Sequence, residues 1–203
     1  MIAIIDYGMG NLRSVQKALE SLGCEAVITD ERAALEAAER VILPGVGAFS
    51  DAMAQLRRRE LDKAVREAVQ AGKPLLGICL GMQLLFASSE EGGHFEGLGI
   101  IPGAITRFPE RGLKVPHMGW NNLHLRPCPL FEGILGSPYV YFVHSYHAAE
   151  VSDEWTAATS DYGAVFTAAV HRGNVYGTQL PPEKSGAAGL RMLENFAAMK
   201  GGA

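Results

Sequence analysis

The hydrophobic pattern changes character midway along the chain. Ile2-Ala3-Ile4-Ile5 is apolar at every position, which predicts a strand covered on both faces. Leu12, Val15, Leu19 and Leu22 then recur at helical spacing between Asn11 and Gly23. Cys24 to Thr29 reads as a second strand, Asp30 as the cap of a short alanine-rich helix, and Arg40 to Leu43 as a third strand entering Pro44-Gly45-Val46-Gly47. Ser50 predicts the start of a helix running to Arg58, and Leu61, Ala64, Val65, Ala68 and Val69 line one side of the next, which Gly72 ends. Lys73 to Phe86 passes from a strand-like to a helix-like run at Cys79. Strands alternating with helices predict an α/β fold on a parallel sheet, with ligands at the carboxyl ends of its strands.

Beyond Ser89 the helical periodicity stops. Glu90 to Gly99 reads as a glycine-rich loop, and from Ile100 short strands with Gly and Pro between them predict an antiparallel or mixed half. Pro116-His117-Met118-Gly119-Trp120-Asn121 predicts a turn, while Tyr139 to Tyr146 alternates as a strand and runs into His147. Two further strands, Phe166 to Val170 and Val175 to Gln179, precede a helix from Ser185 that buries Leu190, Leu193 and Phe196.

No linker, repeat or charge block divides the 203 residues, which predicts a single domain over 1–203. A net charge of −4 with mixed signs argues against a nucleic-acid partner, and Arg57-Arg58-Arg59 reads as a solvated helix face. No apolar run approaches the roughly 20 residues needed to span a bilayer, and the first strand runs straight into Asp6. A cytoplasmic protein with no membrane contact is therefore expected. Cys24, Cys79 and Cys128 have neither zinc nor disulfide spacing, so no metal or cofactor is expected. Asp6-Tyr7-Gly8-Met9-Gly10-Asn11 begins like a dinucleotide fingerprint, but Arg13 stands where the third glycine belongs.

Candidate chemistry concentrates at Gly77-Ile78-Cys79-Leu80-Gly81. A strand-to-helix bend flanked by glycines can present a strained, outward-pointing nucleophile, here a thiol. A helix N-terminus favours thiolate and supplies amides for an oxyanion, so a lowered thiol pKa is expected.

Five blocks carry a resemblance that covers essentially the whole chain: Asp6 to Leu12, Leu43 to Phe49, Gly77 to Gln83, Pro116 to Asn121 and Pro182 to Ser185. In order and spacing they resemble class I glutamine amidotransferases, and within them the glutaminase subunits of imidazole glycerol phosphate synthases of histidine biosynthesis. The resemblance implies a three-layer, flavodoxin-like fold with a mixed, mainly parallel central sheet. It implies glutamine as substrate, and a cyclase subunit as heterodimer partner that receives the ammonia. It also implies Cys79 as nucleophile, Glu183 as the acid that orients the family's histidine, and Gly45, Val46 and Gly47 as the oxyanion loop. Gln83, Ser145 and Tyr146 match substrate-holding positions, and Asn11, Trp120 and Lys184 match positions that face the cyclase.

The chain departs from that pattern at one catalytic position. The family reads Gln-Phe-His-Pro-Glu-Lys-Ser, whereas this sequence reads Gln179-Leu180-Pro181-Pro182-Glu183-Lys184-Ser185. Proline has no titratable side chain and no N–H, so Pro181 can neither take the cysteine proton nor deliver one to ammonia. Two readings remain: a glutaminase subunit, and a catalytically impaired binding subunit of an ammonia-dependent synthase. His144 and His147 are the nearest replacement bases by motif.

Overall fold

The computed structural model describes residues 1–109 and 112–201. Its first half alternates as the hydrophobic pattern predicts: β1 (Ile2–Ile5), α1 (Leu12–Ser21), β2 (Ala26–Thr29), α2 (Arg32–Ala37), β3 (Arg40–Gly45), α3 (Phe49–Arg58), α4 (Leu61–Gln70), β4 (Leu75–Cys79) and α5 (Leu80–Leu84). The second half is mostly strands: β5 (Phe86–Ser89), β6 (Phe95–Glu96), β7 (Ile101–Arg107), β8 (His117–Asn122), β9 (His124–Leu125), β10 (Tyr139–His144), β11 (Tyr146–Ala149), β12 (Thr156–Asp161), β13 (Val165–Arg172) and β14 (Val175–Thr178). Helix α6 (Gly186–Ala198) follows.

Among the described residues the strands form one large sheet in the order β2-β1-β3-β4-β14-β13-β11-β7-β5-β6, with β12 and β9 beside β13. The stretch β2-β1-β3-β4-β14 is parallel, and β14 joins the antiparallel half through β13. Period-2 alternation sends successive side chains of each buried strand to opposite faces. Ile2, Ile4, Ile42, Leu76 and Ile78 pack with Val15 and Leu19 of α1 and with Met192, Leu193 and Phe196 of α6. Ala3, Ile5, Val41, Leu43 and Leu75 pack on the other face with residues of α2, α3 and α4. Helices on both faces of the sheet give the three layers expected. Strands β8 and β10 stand apart as an antiparallel ribbon.

Several local expectations are corrected. Pro116 to Asn121 is not a turn, because His117 to Asn122 pairs along its length with β10. The run after Cys79 is helical only through Leu84, and Phe86 already starts a strand that pairs with β7. Asp30 does not cap α2, whose first flanking residue is Glu31; Asp30 instead pairs with Arg59. Ser50 lies inside α3, and the cap comes from far away in sequence, the Glu91 carboxylate accepting from the Phe49 amide at 2.8 Å. Leu190 is 36% exposed, and Met192 occupies the buried face in its place. The basic run is exposed at the end of α3, as the solvated face expected of it, although Arg57 and Arg59 donate to the Glu96 and Asp6 carbonyls.

Candidate active site

Strand β4 delivers Cys79 to the carboxyl edge of the parallel sheet, between β3 and β14. Its backbone has φ 53° and ψ −115°, a left-handed strain that a non-glycine residue rarely holds. The flanking glycines do not themselves have positive φ, and it is the lack of a Cβ that matters, as expected. They permit close approach. A Cβ on Gly81 would lie 1.7 Å from the Leu43 carbonyl oxygen, and one on Gly77 would lie 2.7 Å from the Met82 Cα. The elbow is thus wedged against β3 and its own helix, and the strain falls on the cysteine.

A cavity of about 420 Å³ opens at this edge, and it collects most of the residues singled out in the sequence. Cys79, Gly45, Val46, Gly47, Gln83, Ser145, Tyr146, Asn11, Lys184, Pro181 and Glu183 all line it. Trp120 does not; it stands 57% exposed on the ribbon, near the turn that follows Lys184. Gly45 is still a strand residue, paired with Cys79, so only Val46 and Gly47 form a free turn. Tyr7 fixes the start of that turn by donating its buried hydroxyl to the Pro44 carbonyl at 2.9 Å. Gly47 needs its φ of +91°, and a Cβ there would lie 2.8 Å from the Met9 methyl. The turn is held from behind by the β1–α1 loop.

The electrostatics of the thiol reverse one expectation. Burial pushes the Cys79 thiol up, the Glu183 carboxylate pushes it further the same way, and Lys184 opposes them only in part. Although the residue is only half-buried, loss of solvation is the largest influence on its thiol. Alkylation of Cys79 is therefore expected to be slow at neutral pH and several-fold faster in Glu183→Gln, because removing the acid's charge favours thiolate. Peptide mapping of iodoacetamide-treated protein follows this residue apart from Cys24 and Cys128. Identical rates in the two proteins would show that the carboxylate does not act on the thiol.

Glu183 sits in a 3-10 turn, Pro182–Lys184, that immediately precedes α6. Its Oε2 is buried without a hydrogen-bond partner, and burial raises the pKa of the carboxyl. Next to it Pro181 holds an extended backbone with φ −79° and ψ 107°. The Pro181 carbonyl accepts from the Lys184 amide at 3.1 Å and the Ser185 hydroxyl at 2.8 Å. Neither candidate replacement base reaches Cys79 or Glu183 by a hydrogen bond. His144 is bound at both ring nitrogens, to His117 and to the Tyr146 carbonyl, and His147 Nδ1 pairs with the Ala148 carbonyl at 3.1 Å. Burial lowers the pKa of both.

Sequence reading missed Glu91, which lines the cavity while capping α3. It lies in a glycine-rich loop with no local pattern, and only the fold brings it to the cavity that Gln83 and Cys79 also line. Among the described residues no group of acids, histidines and cysteines is arranged to hold a metal ion. Among the same described residues no helix is long and apolar enough to cross a membrane.

The family model for glutamine amidotransferase class-I matches residues 3–199. The imidazole glycerol phosphate synthase subunit HisH of Syntrophotalea carbinolica is 53% identical over 98% of this chain and 100% of its own length. The subunit of the same name from Moorella thermoacetica is 54% identical over 96% of this chain and 93% of its own length. Among solved structures, a glutamine amidotransferase superposes with TM-score 0.77 at 22% identity, covering 98% of this chain and 100% of that one. PurLQS from Thermotoga maritima gives TM-score 0.75 at 20% identity, covering 96% of each chain.

Proposed function

Because the chain belongs to the class I glutamine amidotransferase family, we propose that it is the glutaminase subunit of an imidazole glycerol phosphate synthase in histidine biosynthesis, acting as one domain. The observation that carries this reading is the cavity itself. It joins a strained cysteine, a glycine-rich turn, an amide side chain and two carboxylates at one sheet edge, in a chain that matches its relatives from end to end. The Cys79 thiolate attacks the side-chain amide carbon of glutamine, and amides of the Gly45 to Gly47 segment and of the α5 N-terminus receive the oxyanion. The proton given up by the thiol passes through water to the amide nitrogen, ammonia leaves as the thioester forms, and a second water molecule then cleaves the thioester, releasing glutamate and returning a proton to the thiol. Gln83, Ser145 and Tyr146 hold the substrate, and Glu91 offers a carboxylate to its α-ammonium group.

The cyclase partner docks beside the cavity mouth. Met118, Trp120, Tyr139 and Val143 are all exposed on one face of the β8–β10 ribbon, while the opposite face is buried. Asn11 and Lys184 lie at the cavity rim. An exposed tryptophan among apolar neighbours has the character of an interface anchor. Trp120→Ala is expected to weaken association with a cyclase subunit by about tenfold or more. Titration by analytical ultracentrifugation checks this, and an unchanged dissociation constant would move the interface elsewhere.

Pro181 favours a second reading, in which the chain holds the cyclase in its working shape and free ammonia supplies the nitrogen. Among the described residues no base hydrogen-bonds the thiol, and the buried Glu183 oxygen has no hydrogen-bond partner. Product formation by the complex, measured with glutamine and separately with ammonium, separates the two. Activity with glutamine supports the first, and activity with ammonium alone supports the second.

A further inference from the structure

Two buried histidines lie outside the thiol chemistry, and their partners fix where each proton sits. His117 and His144 oppose each other in the β8–β10 register, with His117 Nδ1 3.0 Å from His144 Nε2. His144 Nδ1 lies 2.9 Å from the Tyr146 carbonyl oxygen. A carbonyl only accepts, so His144 carries its hydrogen on Nδ1 and must accept at Nε2. His117 is then protonated on Nδ1 as well. Its own Nε2 is left to accept from Asn121 Nδ2 at 3.4 Å. Asn121 is anchored in turn, donating to the Asp161 carbonyl at 2.7 Å and accepting from the Asn122 amide at 2.9 Å.

The relay ends in the cavity wall. The Tyr146 carbonyl accepts a second hydrogen bond, from Gln83 Nε2 at 3.1 Å, and Nε2 spends its other hydrogen on Gln179 Oε1 at 2.9 Å. Both donors of the Gln83 amide are therefore committed to the protein, which leaves its Oε1 as the atom available to a ligand. We infer that His144 is a positioning residue: backed by His117 and Asn121, it fixes the Tyr146 carbonyl and so holds the Gln83 amide with Oε1 as its free acceptor, selecting a ligand that brings an N–H group.

The surroundings keep the relay neutral. Phe108, Phe142 and Phe166 pack on His144, and Tyr162 stacks on His117 at 4.1 Å between ring centres. His147 is the other titratable ring that acts on His144. Burial lowers His117 to about 4 and His144 to about 3, so both rings remain uncharged well below neutral pH. A charged ring would donate at both nitrogens, which would reverse or break the chain.

The identity of the ligand rests on the glutaminase reading, whereas the relay does not. The test is ring and side-chain 15N NMR of the full chain, with glutamine titrated into the same samples. Both rings are expected as Nδ1–H tautomers that stay neutral at mildly acidic pH, with slowly exchanging Gln83 side-chain amide hydrogens. His144→Asn places an amide N–H near the former Nδ1 and should preserve both the slow exchange and the glutamine affinity. His144→Leu should lose the slow exchange and bind glutamine about tenfold more weakly. An Nε2–H tautomer at His144, or a folded His144→Leu with unchanged Gln83 exchange and glutamine affinity, would overturn the inference. Should the leucine variant fail to fold, His117→Phe keeps the stacked ring while removing the donor to His144, and the same readouts decide. The expected tautomers and exchange in a protein that binds no glutamine would support the relay and reject the substrate. Glutamine bound with the opposite tautomer would reject the relay alone.

Discussion

Replacing Pro181 with histidine is expected to raise glutamine hydrolysis by the complex by about a thousandfold or more, since loss of the base from a nucleophile–base unit costs up to roughly a million-fold. The receiving site is already built. Glu183 Oε2 is buried and unpaired, ready to accept an imidazole N–H, and Pro181 lines the same cavity as Cys79. The backbone need not move, because φ −79° is open to histidine and the Pro181 carbonyl is held by two donors of the following turn. An imidazole at this position also reverses the sign of the field on the thiol, since an imidazolium favours thiolate where Glu183 alone disfavours it. The neighbouring Leu180 is fully buried. Enlarging it to the family's phenylalanine risks overpacking by about 1–3 kcal/mol, so the gain is expected from histidine alone. Glutamate release with the cyclase and its ligand present is the assay, and Cys79→Ala in the same background is the blank. A histidine variant that stays at the blank while the complex still uses ammonium would show that position 181 does not hold the missing base.

The second large effect is structural. Gly81→Ala is expected to destabilise the fold by about 3 kcal/mol or more, because its Cβ would sit 1.7 Å from a backbone oxygen that cannot swing away. That oxygen belongs to Leu43 of β3, a strand paired on both sides within the parallel sheet. Relief requires either α5 or β3 to shift, and both line the cavity. The urea midpoint of the variant gives the cost at an unchanged slope. A loss under about 1 kcal/mol would mean that the elbow is far less tightly wedged than this geometry requires.

The first half was legible because its signals are local. β1, α1, β3, α4 and β4 each carry a period and a terminating residue within a dozen positions, and the periods alone place Val15 and Leu19 on the buried side. Cys79 was legible from two glycines that leave room for a tight bend, although the atom a Cβ on Gly81 would strike was not, since it is a carbonyl of another strand. The second half resisted. Pro116 to Asn121 has turn-forming residues but becomes a strand because β10 supplies a partner some twenty residues later. Glu91 has no local signature, since its cap and its cavity contact are both made to distant segments. The thiol pKa was misjudged for a related reason: burial is a property of the assembled cavity, whereas the helix terminus can be read from sequence. Membership of the family, by contrast, was legible from motif order, which survives the change at position 181.

A buried carboxylate oxygen without a donor is a standing thermodynamic cost, on the order of 1–3 kcal/mol. In this protein that oxygen is Glu183 Oε2, and the residue that would relieve it is the one that would supply the base. Selection for a more stable fold and selection for turnover therefore favour the same substitution. A lineage carrying proline at this position lies one favourable step from histidine on either criterion, unless Glu183 is first exchanged for an apolar residue. That exchange would remove the cost without restoring the chemistry, so a glutamate at position 183 keeps the return path open.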